Sequence, residues 1–366
     1  MVKPLLTAAL ILSLSPAVAQ AQRVPFERSF DVKDAPIVDV STIRGKIEVT
    51  VGDSGRVLVK GAATVRVGFN VPLDAPEIAR DIAAHPPIVQ EGNTTRLRPP
   101  TEKAQQQAVT VNYEVTVPRD AHVTTVSDSG ATSVAGVSGP VAIRTQSAAI
   151  DVRDLGGTTE VKTGSGAVTA DGVGGPFAVT TESSAFTGRG LKSDLRVRTG
   201  SGAVDAELAG GGSVDVQTSS SAIELQGVKS GVTASTQSGR IRIRGTSGDP
   251  WNVSTGSGAI DVALDANAIL TLEATTGSGS VNVDGATVQG VVSKKRVAGA
   301  IKGGGPLMRL ISRSGSIRVT LGGGHGGQQF NVFNLQHSTF NIEPCLPQPS
   351  LKSFFALSWS SCRSTA

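Results

Sequence analysis

The chain has 366 residues, enough for two ordinary domains or one elongated array. Its 44 glycines exceed the usual share, and an aromatic fraction of 4% excludes a large round core packed around rings. Val, Ile, Ala and Thr must supply the packing, and a net charge of +4 from scattered Lys and Arg speaks against a nucleic-acid partner.

The N-terminus has the pattern of an export signal. Lys3 is followed by an apolar run from Leu5 to Leu14, then by small residues at Ala17-Val18-Ala19 or Ala19-Gln20-Ala21. This predicts a signal peptide over residues 1–21, cleaved near Ala19 or Ala21, and delivery to a periplasm, cell envelope or extracellular space. A retained anchor is the competing reading, but the apolar run is short for a bilayer span. No transmembrane segment is expected after cleavage.

Residues 22–122 read as an N-terminal β section. Ile43-Arg44-Gly45-Lys46-Ile47-Glu48-Val49 looks like an early coil with Gly45 at its corner, and Arg56 to Val67 alternates in β fashion. A helical and loop insertion then occupies about residues 69–108. Within it, Ala75 to Ala84 is a helical pattern opened by Pro72 and Pro76 and ended by His85-Pro86-Pro87. Val109 to Val117 returns to strand. The section is expected to cap an open sheet edge, which would otherwise invite end-to-end association.

From Val123 to Leu321 the chain repeats. A small polar residue recurs at Ser129, Ser147, Ser165, Ser183, Ser201, Ser220, Ser238, Ser257, Ser278 and Ser314, mostly at intervals of 18 or 19. The last interval, 36, is read as two coils, with Ala298-Gly299-Ala300-Ile301 as a degenerate copy. Apolar residues occupy the positions six and four before the Ser (Leu195 and Val197, for example) and three and five after it (Ile223 and Leu225). That is the period-2 signature of two half-buried strands meeting at a corner, with glycine expected there for its backbone freedom. The fold class is therefore all-β, a single-chain β-solenoid of about 18-residue coils with two short strands per coil. Three six-residue faces of a triangular coil also fit the period. One coil cannot offset the entropy of its own ordering, so only the stack can fold.

Two residues before the Ser runs a Thr column, from Thr145 to Thr276. It resembles the outward ladders of ice-binding solenoids, but it shares parity with the Val and Leu columns and should point inward and hydrogen-bond along the stack. The outward column four after the Ser is the candidate surface ladder: Asp151, Asp205, Glu224, Arg242, Asp261 and Arg318, with Thr169, Thr187 and Asn282 between. Asp205 and Glu224 should lie about 4.8 Å apart, one strand spacing, and a retaining glycosidase uses two carboxylates at about that separation. An ordinary solvated ladder accounts for them equally well. Phe177, Phe186 and Trp251 fall on inward positions and offer no sugar platform.

The remaining residues suggest little chemistry. His85, His122, His325 and His337 are scattered without neighbouring ligands, so no metal site is expected. Lys294-Lys295-Arg296 reads as a solvated loop. Residues 322–366 break the register and carry both cysteines, Cys345 and Cys362, which export would allow to pair. A hydrophobic cap, a disordered tail, and a readthrough or frameshifted end compete for this segment. The last two are favoured, because a cap usually keeps the strand phase of its neighbour.

An exported start, the Ile43–Val49 segment, Tyr113-Glu114-Val115-Thr116-Val117-Pro118, and serial copies such as Thr255-Gly256-Ser257-Gly258-Ala259-Ile260-Asp261-Val262 together resemble the bacterial putative-adhesin family, a β-strand-repeat domain of unknown function. The resemblance spans about Val38 to Leu321. It implies a β-solenoid without cofactor or catalytic residues, and no site residues carry over from it. The expected function is an exported, non-enzymatic envelope protein that binds an envelope protein or a glycan surface, or serves a structural role. A polysaccharide-acting β-helix hydrolase or lyase using Asp205, Glu224 and Arg242 or Asp261 is the alternative.

Overall fold

The computed structural model describes residues 22–68 and 71–322. The expected signal peptide, the cysteine pair, His325, His337 and the tail past Gly322 lie outside the described residues. The chain divides into units Met1–Gly324 and His325–Ala366, and the first is described here.

Two long sheets, of 14 and 15 strands, form the walls of a β-solenoid. Each coil contributes one strand to each sheet, so the coil is two-sided and the triangular alternative is excluded. From His122 to Leu264 the coils stack in chain order through parallel, in-register ladders. Thr145, Thr163, Thr181, Thr199, Thr218, Thr236 and Thr255 thus lie on successive strands of one sheet. Alternation along each strand buries the four predicted aliphatic columns between the sheets. Phe177, Phe186 and Trp251 are all interior, and the Trp251 indole N–H donates to the Ser230 carbonyl at 2.9 Å.

The two corners of a coil impose different demands. At the Ser-Gly corner the glycines are needed for space and not, as expected from sequence, for their torsion angles. A Cβ on Gly166, Gly202 or Gly239 would lie 1.7–1.8 Å from the carbonyl oxygen of the coil beneath, and none of these residues has positive φ. The opposite corner needs the left-handed conformation. Gly136, Gly172, Gly190 and Gly227 adopt φ of 63–80° there, and Asp154 takes φ 51° in the same column. Just past that corner lies an inward column that the sequence reading missed, with Val137, Leu155, Val173, Leu191 and Val228 all buried.

The Thr column is interior, each member 3–7% exposed, and it does more than line the core. In most coils the Thr hydroxyl accepts the backbone N–H three residues on, at 2.9–3.2 Å, and so caps its own corner. From Thr181 onward it also donates to a carbonyl of the neighbouring coil, at 2.7–3.5 Å.

At the N-terminal end the elements are β1 (Arg23–Asp31), β2 (Ile37–Thr42), β3 (Ile47–Val51), β4 (Arg56–Val65), α1 (Ala75–Ala84), β5 (Ile88–Glu91), β6 (Thr94–Leu97), α2 (Lys103–Ala108) and β7 (Val109–Val117). α1 occupies the span its pattern predicts, burying Ala75, Ala79, Ile82 and Ala83 against β4 and β1. α2 was not foreseen, because its polar sequence buries only Ala108 and carries no apolar stripe. β2 and β3 form a true first coil, paired in parallel with the coil that begins at His122. β6 and β7 then stack on the far side of that coil, although β7 is the strand adjoining His122 in sequence. Antiparallel strands complete this end, β5 on β6, β4 on β7 and β1 on β4.

The C-terminal end repeats this interlocking in reverse. The coil Leu270–Thr276 and Val281–Asp284 leaves a gap beside Trp251–Thr255 and Ile260–Leu264. The last coil, Leu307–Ser312 and Ile317–Leu321, fills that gap, pairing in parallel on both sides. The degenerate coil expected at Ala298–Ile301 does not form. Arg296–Ile301 is instead the inner strand of an antiparallel hairpin with Val288–Val292, laid on Leu270–Thr276. Lys294 and Lys295 are exposed in its tight turn, closed by the Ser293 N–H donating to the Arg296 carbonyl at 2.8 Å. A two-residue turn favours a hairpin over the wide corner that a coil requires.

Candidate functional site

The candidate ladder lies on the outer face of the 14-stranded sheet, placed there by the parallel register. Asp151 pairs with Thr169 and Thr169 with Thr187, then Asp205, Glu224, Arg242 and Asp261 follow on successive strands. Arg318 stands between Asp261 and Asn282, because the last coil is inserted there. All six candidates therefore share one face, in an order the sequence does not give.

Four of the six have an ion-pair partner within 4 Å among the described residues, and only Glu224 and Arg242 pair with each other. An Arg242 Nη1 lies 3.7 Å from a Glu224 carboxylate oxygen, Arg240 lies 3.8 Å from Asp261, and Arg153 donates to Asp151 at 2.6 Å. Asp205 differs: partial desolvation and then the adjacent Glu224 hold its carboxyl above the ordinary Asp range, with Arg189 opposing. One carboxyl held above its ordinary range beside a second carboxyl is the starting arrangement of an acid–base pair. Here the two groups sit on an open sheet face, and Glu224 already has a cationic partner.

A second feature, which the sequence reading did not isolate, runs along the Ser-Gly corner on the 15-stranded sheet. A groove of about 1040 Å3 crosses from Thr180 to Arg313, and a second of about 400 Å3 continues from Thr180 and Thr181 to Val126. The outward position three before the Ser forms one wall. It runs through Val126, Arg144, Lys162, Thr180, Arg198 and Gln217 to the half-buried Ser235 and Ser254 and ends at Ile311, and the two short serines open the trough. The position just before the Ser forms the other wall, through Gln146, Glu182, Gly200, Ser219, Gln237 and Gly256. The buried Thr column is its floor. The available signal was the pair of serines in that outward column, hidden because the inward residues of the same strand define the repeat.

Among the described residues no group of three or more His, Cys, Asp or Glu is placed to hold a metal ion. No helix among them is long and apolar enough to cross a membrane.

The family model described as Toastrack DUF4097 matches residues 105–320. That span reaches from α2 to the last coil and leaves out β2 and β3, although these sit inside the stack. No curated protein matches the chain. Among solved structures, a putative cell adhesion protein from Clostridium sporogenes aligns at 11% identity over 81% of this chain and 100% of its own, with a TM-score of 0.17. A putative adhesin from Bacteroides fragilis aligns at 12% identity over 81% of this chain and 97% of its own, with a TM-score of 0.30.

Proposed function

The chain belongs to the Toastrack DUF4097 family, and we propose that it is an exported, non-enzymatic envelope protein that binds a partner surface or polymer along its stacked faces. One observation carries this reading. Polar side chains recur at one strand spacing along both outer faces, and four of the six charged ladder residues are in local ion pairs instead of converging on a reactive centre. Such a surface suits an extended ligand better than a small substrate. Immobilised protein should capture a protein or glycan from envelope extracts of the source cells, and capture of neither would remove the support for a binding role. Export has its own test: the protein recovered outside the cytoplasm should begin just after Ala19 or Ala21, and an intact N-terminus there would contradict cleavage.

The raised carboxyl of Asp205 beside Glu224 favours one alternative, a polysaccharide hydrolase or lyase with Arg242 or Asp261 assisting. Reducing-sugar release or unsaturated-product absorbance across a glycan panel, abolished by Asp205→Asn, would establish it. Silence across the panel would retire it.

A further inference from the structure

We propose that the Ser-Gly corner groove binds an acidic polysaccharide lying lengthwise along the stack. The proposal rests on the binding role above and names its ligand and its face.

Shape comes first. Strands bearing Val126 at one end and Ile311 at the other are eight steps apart in the sheet, about 38 Å at a spacing of roughly 4.8 Å. A straight trough of that length fits a linear polymer. Its depth arises where Ser235 and Ser254 replace longer side chains on one wall while Gly200 and Gly256 lower the other.

The lining chemistry then narrows the ligand. An extended peptide docks by adding a strand to a free sheet edge, but the strands under this groove are interior to the sheet and paired on both sides. Single-stranded nucleic acid needs aromatic platforms, and the groove contains none. What it presents are Ser hydroxyls and the amides of Gln146, Gln217 and Gln237, which both donate and accept as sugar hydroxyls require.

Charge adds the last constraint. The two lining sets hold four cations against the two acids Asp128 and Glu182. Lys162 is engaged by Glu160, and Arg198 lies 3.8 Å from Asp215. Arg144 and Arg313 form no ion pair among the described residues and stand near opposite ends of the trough, seven strand steps apart. A guanidinium presents a planar fork that matches a carboxylate, so a uronate-bearing chain meets cations at both ends and hydrogen-bonding groups between.

The test uses the mature full chain with polygalacturonate, its methyl-esterified form and polyglutamate, read by calorimetry. Polygalacturonate should bind, the esterified polymer much more weakly, and polyglutamate not at all. Arg144→Gln and Arg313→Gln should each weaken binding about tenfold, the usual scale for one charge-assisted contact. Ser254→Trp should abolish it, and Lys294→Gln in the exposed hairpin turn should leave it unchanged, all with unaltered thermal unfolding. Should Ser254→Trp fold poorly, the two arginine variants decide. Equal binding of the esterified polymer, preference for polyglutamate, or a loss confined to Lys294→Gln overturns the proposal. If polygalacturonate is ignored while the intact chain still captures envelope material, the groove assignment falls and the broader binding role survives.

Discussion

The body of the solenoid and its two ends obey opposite rules of chain order. From His122 to Leu264 each coil stacks on the one just made, so sequence neighbours are spatial neighbours. At both ends the terminal coil, Ile37–Val51 or Leu307–Leu321, is slotted between the body and a coil closer to the body in sequence. A simple stack frays from its last repeat, because that repeat has one neighbour. Here the first and last coils have neighbours on both sides, and three of the four outermost positions are taken by antiparallel strands, the fourth by the parallel strand Val281–Asp284.

The largest expected effect breaks this comparison directly. Removing one body coil in frame, Ala148–Ser165, should leave a shorter stack that unfolds cooperatively at a moderately lower temperature. Truncation by in-frame deletion of Pro306–Leu321 removes a similar length but takes out an internal coil, including Met308, Leu310, Ile317 and Val319, all fully buried. Each such side chain contributes about 1.5–3 kcal/mol through burial, and Trp251–Leu264 and Leu270–Asp284 lose their shared partner. Limited proteolysis should therefore digest the truncated protein from about Trp251 onward. Equal resistance in the two variants would mean that the inserted coil is dispensable.

Within the body, the corner should distinguish neighbouring coils. Gly202→Ala drives a methyl into the Ser184 carbonyl, 1.7 Å from the ideal Cβ position, and should cost about 2–3 kcal/mol in chemical unfolding. Ser184→Ala, at the same position one coil earlier, should change stability little. Similar costs at both sites would contradict the close approach at the Gly202 corner.

Interior threonines sharpen the contrast between body and junction. Thr199 caps the Gly202 N–H at 2.9 Å, so Thr199→Val should lose about 1–2 kcal/mol. Thr125, in the coil where the body meets the Ile37–Val51 coil, is fully buried with an unpaired hydroxyl. Thr125→Val should raise stability by about 1 kcal/mol, and a loss there would reveal a partner for that hydroxyl.

The smallest effect concerns the ladder. The folded protein holds the Asp205 carboxyl above its ordinary range, chiefly through desolvation and then through Glu224. The native state therefore binds this proton more readily than the unfolded chain, and stability falls as pH rises through that range. Asp205→Asn removes the fall. It should stabilise at neutral pH by less than about 1 kcal/mol, given screening at an exposed site, and the gain should vanish below about pH 3. A gain that persists in acid would point to a cause other than ionisation.

The body was legible in the sequence because its information is local. Val197, Thr199 and Val204 keep their distances from Ser201 in coil after coil, and period-2 alternation assigns them to the core. The Ile43–Val49 coil and the Ala75–Ala84 helix were legible for the same reason. What escaped was non-local or negative. Nothing in Leu307–Leu321 states that it will pair on both sides, and Ala298–Ile301 has the composition of a weak coil although its tight turn commits it to a hairpin. The candidate ladder could be enumerated, but not its true order around Arg318. The groove escaped because it is made by what Ser235, Ser254 and Gly256 lack.

The most direct test of the interlocked ends is disulfide mapping with Cys345 and Cys362 replaced by Ser. The parallel register sets Asn252 opposite Arg309 and Arg309 opposite Glu273, each one strand spacing apart. Two chains carrying Asn252→Cys with Arg309→Cys, or Arg309→Cys with Glu273→Cys, should cross-link on mild oxidation. Asn252→Cys with Glu273→Cys should not, since two spacings, about 9.6 Å, exceed the reach of a disulfide. Cross-linking of the 252–273 pair without the other two would show that the coils stack in sequence order, and the interlocking would be wrong.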